Sequence, residues 1–409
     1  MQRFLARGLG ATALVFFLGC GDSSSSSGTP TSADSAAQSD TSATSDTQET
    51  TPPNLPDIPV GELTMIEPGG ETICSRGTPF QFFVAGGNVN KSVVDFAGGG
   101  ACWNSVTCSV AGSIFNEAVP NFEAVKVAVE TGFLSGIYDF DNPENPFEGW
   151  YLVHIPYCTG DVHWGNAVHD YGNDNIIHHK GYVNVTAALD WVYENFESPE
   201  EIFVTGCSAG SYGAIGHSAR LAQHYPNAKL AVLGDSGAGI ITESFFADSF
   251  PNWNAAPALP DWIPAFDGDY TELTIVDVYT GIANFYPQHR FAQYNTAFDS
   301  NQEFYFTAMG GDEADWSTRM MASIQEISEG TENFRSYLAP GSVHCVAPYE
   351  IFYSREVEGW KLTDWVGGLL SADEAPPSVS CEAAGCENDP VCAACETSDS
   401  PPSYCGFCD

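Results

Sequence analysis

The chain of 409 residues carries 53 Asp and Glu against 13 Lys and Arg, a formal net charge of -40. A surface of that sign offers no basic footprint for a phosphate backbone and gains nothing from anionic lipid, which argues against nucleic-acid binding and against electrostatic membrane attachment. The length allows a sizeable buried core, and 13 cysteines point to an oxidising, exported setting.

At the N-terminus, Arg3 and Arg7 precede LGATALVFFLG, an apolar stretch too short for a stable membrane span. It reads as a signal segment over residues 1–19. The following FLGC resembles a bacterial lipobox, which implies cleavage before Cys20 and lipidation there. An exported lipoprotein at the outer membrane or cell surface is expected, with a secreted or periplasmic protein as the alternative. Residues 21–60 are rich in Ser, Thr, Asp, Pro and Ala and hold no Lys or Arg. Too few large apolar groups are present to repay ordering, so residues 20–60 are read as a disordered tether.

From residue 61 to about 370, strand and helix signals alternate. KSVVDFAG is a strand running into Gly98-Gly99-Gly100-Ala101. No Gly-Lys-Ser or Gly-Lys-Thr follows, so this is not a phosphate loop; it is a turn able to aim backbone amides at an oxyanion. GWYLVHIP is a second strand. The next loop, GDVHWGN, concentrates polar and aromatic groups. Asp161, His163 and Trp164 are candidates to line a substrate cleft, the alternative being a loop packed on the body and pinned by Cys158. GYVNVTAALDWVYENF is an amphipathic helix with Val185, Ala188, Leu189, Val192 and Phe196 on one side.

Glu201–Val204 is a short apolar strand, and from Ala209 the spacing turns helical through Tyr212, Ile215, Ala219 and Leu221. Gly206-Cys207-Ser208-Ala209-Gly210 lies between them, the context a nucleophile elbow requires. Ser208 is the candidate nucleophile, and the Ala209 amide a candidate oxyanion donor. Leu230–Leu233 is a further buried strand. It leads to Asp235, read as a structural or pocket-floor carboxylate bonded to loop amides. Strand, helix, strand in repetition predicts a mainly parallel sheet covered by helices. Residues 244–266 hold six Phe and Trp among prolines and turns, and read as a lid or rim insertion.

A serine nucleophile needs a histidine base oriented by an acid. His217 and His224 lie on the helix after Ser208, and His289 precedes a new strand. His344, in the late loop APGSVHCVAP, is the favoured base. Two acid regions compete. Asp299 follows a strand over Phe291–Thr296, and Asp312 or Asp315 follows a predicted strand over Glu303–Thr307. Pattern alone leaves them level.

Without Cys20 the cysteines split into six in the body (Cys74, Cys102, Cys108, Cys158, Cys207, Cys345) and six in a tail over residues 371–409 (Cys381, Cys386, Cys392, Cys395, Cys405, Cys408). Each set is able to close on itself as disulfides. The two Cys-x-x-Cys pairs of the tail also allow a zinc site, which export disfavours.

The segments DFAGGGACWN, HIPYCTGDVHWGN, VTGCSAGSYGA, GDSG, YNTAFDSNQ and GSVHC together resemble the pectin acetylesterase family, which includes the Notum-like carboxylesterases. They span about Val93 to Cys345. The resemblance implies an α/β-hydrolase-like fold and a triad of Ser208, Asp299 and His344, with Gly100, Ala101 and Ala209 as the oxyanion hole; it favours Asp299 over Asp312 and Asp315. Many relatives carry tryptophan at the position of Ala101, whereas here Trp103 comes two residues later and is a candidate to reshape the acyl pocket. The implied activity is hydrolysis of O-acyl esters without metal or cofactor, foremost O-acetyl groups of a polysaccharide such as pectin, with a small ester as a further substrate. Lipid, aryl or longer acyl esters, acyl transfer to an alcohol, and a non-catalytic carbohydrate-binding protein on the same fold are the alternatives.

Overall fold

The computed structural model of the protein describes residues 55–110, 112, 114–268, 273–371, 374–397 and 402–408. The signal segment, Cys20 and most of the expected tether lie outside the described residues. Residues 55–60, expected as the end of the tether, pack on the body instead. Leu55 and Ile58 pack against the core, Val60 bridges to Gly86, and the Tyr151 hydroxyl donates to the Pro56 carbonyl at 3.1 Å.

The strands are β1 (Leu63–Ile66), β2 (Phe82–Ala85), β3 (Lys91–Phe96), β4 (Tyr151–Ile155), the hairpin β5 (Ala167–Asp170) and β6 (Ile176–His179), β7 (Glu201–Cys207), β8 (Lys229–Asp235), β9 (Arg290–Thr296), β10 (Phe334–Ala339), the small ribbon β11 (Glu356–Val357) and β12 (Trp360–Lys361), and β13 (Val379–Ser380). Nine of them form one sheet in the order β1-β2-β4-β3-β7-β8-β9-β10-β13. The β1–β2 and β2–β4 pairs are antiparallel and the remaining pairs parallel. This is the mainly parallel, helix-covered sheet expected of an α/β-hydrolase-like fold.

Both faces of the sheet are buried, which is why its strands read as unbroken apolar runs. Ile202 and Val204 of β7 enter one core cluster while Phe203 enters the other; Leu230 and Val232 of β8 divide from Ala231 and Leu233 in the same way. The helices are α1 (Phe122–Glu130), α2 (Gly181–Asn195), α3 (Ala209–His224), α4 (Glu243–Asp248), α5 (Ile275–Phe285), α6 (Ser300–Ala308), α7 (Glu313–Gly330), α8 (Leu362–Leu369) and α9 (Pro390–Thr397). The predicted face of α2 is the buried one. Helix α3 is buried nearly all round, because it lies on β3, β7 and β8 and is roofed by the loop before β5.

One predicted element is of the other type. Glu303–Thr307, expected as a strand from its aromatic residues, lies inside α6. Asp299 caps that helix, accepting from the amides of Asn301 and Gln302 at 3.1 and 3.0 Å, and the cap outweighs strand propensity. Among the described residues no helix is long and apolar enough to cross a membrane.

The body cysteines pair as Cys74–Cys158, Cys102–Cys108 and Cys207–Cys345, and the tail cysteines as Cys381–Cys386, Cys392–Cys408 and Cys395–Cys405. The tail packs onto the body. Its β13 is the edge strand beside β10, the Gly341 amide donates to the Cys386 carbonyl at 2.9 Å, and Arg355 pairs with Asp389 where both side chains are almost wholly buried. Removing one member of such a pair strands the other charge away from water. Arg355→Met is therefore expected to lower the unfolding free energy by about 3–5 kcal/mol in urea titrations. A loss no larger than that of a surface substitution would mean that the pair does not hold the tail.

Candidate active site

Ser208 sits between the last residue of β7 and the first of α3, with φ 57° and ψ -121°. A non-glycine residue held there costs on the order of 1–3 kcal/mol. The Ser208 amide donates to the Asp235 carbonyl at 2.8 Å, and the Ser208 carbonyl accepts from the Ser211 amide at 3.0 Å. Glycine is required at position 210, where a Cβ would overlap the Phe96 carbonyl of the adjacent strand. It is also required at Gly100, which has φ 73° and faces the Ile114 carbonyl and the Tyr305 hydroxyl. Gly100, Ala101 and Ala209 all line the cavity that contains Ser208.

His344 lines the same cavity. Its Nδ1 lies 3.0 and 2.9 Å from the two carboxylate oxygens of Asp299, which is fully buried. Donation from Nδ1 leaves Nε2 as the ring's acceptor. Burial works against the imidazolium, but the Asp299 charge and hydrogen bond, helped by Asp235, outweigh it and raise the His344 pKa above its ordinary value.

Asp312 and Asp315 lie elsewhere. Asp312 caps α7 and Asp315 pairs with Arg319 on the exposed side of that helix. The other candidate histidines do not line the cavity: His217 bonds the His163 carbonyl at 2.9 Å, His224 stacks on Tyr193, and His289 is buried beside Tyr286.

Gln302 was not singled out in the sequence. Its Nε2 donates to Asp299 Oδ2 at 3.0 Å and Asn295 Oδ1 at 3.1 Å, while its Oε1 accepts from the Ala238 amide at 2.8 Å. The signal was available: Asp299-x-x-Gln302 has the spacing of a helix cap with a glutamine three residues on.

The loop before β5 turns inward. Asp161 is fully buried and accepts from the Thr159 hydroxyl at 2.6 Å, the Gly181 amide at 2.8 Å and the His163 amide at 3.2 Å. Burial pushes its carboxyl up to about 6. His163 is 2% exposed and bonds the Ala97 carbonyl at 2.9 Å; burial pushes its pKa down to about 4. Left-handed backbone at Val162 and His163 folds this loop onto the bare face of α3 at Gly213 and Gly216. Asp161 and His163 therefore support the loop and do not line the cavity, correcting the cleft role expected of them. Trp103 does not line it either, lying buried and edge-on to Phe245. Trp164 does reach the cavity, with its indole N–H on the Tyr212 carbonyl at 2.7 Å, and so does Val162.

Tyr212, Ser236, Thr274, Gln302 and Tyr305 also line the cavity, and most of the remaining wall is apolar. The insertion contributes Phe246, Phe250 and Leu259, α5 contributes Val278, and Met309 and Trp316 come from the α6–α7 region. Two groups of atoms lie close enough to share a metal ion, Cys102 with Cys108 and His179, and Cys207 with His344 and Cys345. In each the sulfurs are joined in a disulfide, which removes their thiolates as ligands.

Residues 60–250 match the sequence profile of the Pectinacetylesterase family. No curated protein sequence matches the chain. Two crystal forms of the Wnt deacylase Notum from Drosophila resemble it in structure. One has a TM-score of 0.54 at 14% identity, covering 73% of this chain and 89% of that one. The other has a TM-score of 0.53 at 15% identity, covering 72% and 88%. Residues 60–250 thus form a pectin-acetylesterase-like domain, and the chain shares its fold with Notum.

Proposed function

We propose that the protein is a serine carboxylesterase in which Ser208, His344 and Asp299 form the triad. The observation that carries this reading is the Asp299–His344 pair, whose histidine lines one cavity with Ser208 at its strained strand-to-helix turn. His344 Nε2 takes the hydroxyl proton as Ser208 Oγ bonds to the ester carbonyl carbon. The amides of Gly100, Ala101 and Ala209 receive the oxyanion. As the tetrahedral intermediate collapses, the C–O bond to the alcohol breaks and His344 returns the proton to that oxygen. Water, deprotonated by His344, then releases the acid and restores Ser208. Asp299 holds the imidazole tautomer and stabilises its charged form.

Ser208→Ala and His344→Ala are each expected to abolish hydrolysis of a p-nitrophenyl ester while leaving the fold intact. Asp299→Asn should lower kcat by about 10³–10⁴-fold. Asp312→Asn should be close to wild type. A collapse in Asp312→Asn with normal turnover in Asp299→Asn would reverse the acid assignment.

The cavity wall favours an acyl group larger than acetyl, since aromatic and aliphatic side chains surround the position beside Ser208. The family match favours a second reading, removal of O-acetyl groups from a polysaccharide such as pectin. Kinetics on p-nitrophenyl acetate, butyrate and octanoate separate the two. The first predicts kcat/KM rising by about tenfold or more from acetate to octanoate. A preference for acetate, with acetate released from acetylated pectin, would establish the second.

The N-terminal pattern supports attachment to a membrane through lipid on Cys20, with the polar stretch as a tether giving the body reach toward polymeric substrate. Cys20→Ser should shift it from the membrane fraction to the soluble one. Equal membrane retention would remove Cys20 as the anchor.

A further inference from the structure

Asp235 stands at the end of β8, fully buried and outside the lining of the cavity. It touches both halves of the candidate site. Its backbone carbonyl accepts the Ser208 amide at 2.8 Å. Its Oδ2 accepts the amides of Val346 and Ala347 at 2.9 and 2.8 Å. The Ser236 hydroxyl donates to Oδ1 at 3.2 Å and itself accepts the Cys345 amide at 2.9 Å. Three consecutive amides just after His344 therefore end on Asp235 and Ser236. The Cys207–Cys345 disulfide joins the residue before Ser208 to the residue after His344 across the same junction.

A carboxylate is an extravagant way to hold a turn. Burial raises its pKa to about 6, against the pull of its hydrogen bonds and of His344. An asparagine of the same shape could accept the Val346 and Ala347 amides through its carbonyl and offer its NH₂ to the Ser236 oxygen. What the asparagine lacks is charge, and the nearby group that gains charge during the proposed reaction is His344. We infer that Asp235 is a positioning residue for His344, fixing the histidine loop to the Ser208 backbone and adding a second negative charge behind the imidazolium. This rests on the triad reading above.

Arg355 interacts with Tyr294, which lies near Asp235, and its guanidinium is paired with Asp389. Asp299 at the cap of α6 faces the His344 ring directly. Glu303 on α6 and Tyr212 on α3 interact with Asp299. Tyr294 on β9 and Tyr349 lie near Asp235, both held in the neutral phenol form by burial.

The experiment is Asp235→Asn in the full chain, read in two ways. In a Ser208→Ala background, NMR titration of the His344 ring should show its midpoint lowered by about one unit. With Ser208 present, kcat on a p-nitrophenyl ester should fall about tenfold, the rate equivalent of one pKa unit, at unchanged KM. An unchanged His344 midpoint with unchanged kcat would overturn the inference and leave Asp235 a structural residue. If Asp235→Asn does not fold, Ser236→Ala carries the test, because it keeps the carboxylate and removes only the hydroxyl that donates to Asp235 Oδ1 and accepts the Cys345 amide. A lower kcat at unchanged KM would support the inference and wild-type kinetics would overturn it. Failure of the esterase reading is distinguishable. Wild-type hydrolysis by Ser208→Ala would overturn the triad, while the His344 midpoint, read without turnover, would still decide the role of Asp235.

Discussion

The backbone reversal at Ser208 is the constraint on which the rest of the site depends. A serine at φ 57° is held there only where its surroundings over-determine it. β7 runs between β3 and β8 in continuous parallel register up to Gly206 and Cys207, so the strand cannot relax by sliding. α3 begins at the next residue and is fixed by burial almost all round. The turn is therefore held between two rigid elements. The Asp235 carbonyl takes the one amide that the reversal would otherwise leave without a partner in the sheet.

That geometry explains why residues far apart in sequence meet. Gly98–Ala101 follow β3, Ser208 follows β7, Asp235 and Ser236 close β8, Asp299 follows β9 and His344 follows β10. These strands are spatial neighbours and run the same way, so their carboxyl ends open on one edge of the sheet. Chain order Ser, Asp, His is then the order in which strands are added outward from β7. The last strand of the sheet comes from the cysteine-rich tail. β13 lies against β10, and Cys386 holds Gly341 three residues before His344. The tail thus bears on the loop that carries the histidine.

Residues whose environment is set by local pattern were legible in the sequence. The elbow announced itself by a strand, a glycine-flanked serine and a helix, and the buried face of α2 by its spacing. Asp235 could be read as a carboxylate bonded to loop amides because it closes the strand next to the elbow. Where tertiary contacts decide, pattern was insufficient. Residues 303–307 look like a strand until Asp299 is seen capping a helix. Asp161 and His163 have the chemistry of a binding loop, and only the left-handed turn at Val162 and His163, packed on α3, puts them inside while Val162 and Trp164 reach the cavity. Acid choice was level on pattern for the same reason: Asp299 and Asp312 both cap helices, and only the fold says which one meets His344.

On the proposed mechanism, chemistry and substrate choice are also divided between different parts of the molecule. The groups of the proposed triad hang on the parallel sheet, whose geometry is shared with proteins of very low identity. The opposite wall comes from the insertion and from α5 to α7, where Phe246, Phe250, Leu259, Val278 and Met309 gather. A methyl group beside Ser208 would cover little of that wall and leave the remainder against water. A longer apolar chain would cover more of it, gaining roughly 0.8 kcal/mol for each methylene buried. Such binding speeds the chemical step only to the extent that it is realised in the transition state. The acyl carbonyl is bonded to the chain behind it, so seating the chain narrows the range of positions of the carbonyl relative to the amides of Gly100, Ala101 and Ala209. On the proposed mechanism the insertion would act on rate through that narrowing, although none of its side chains takes part in proton transfer.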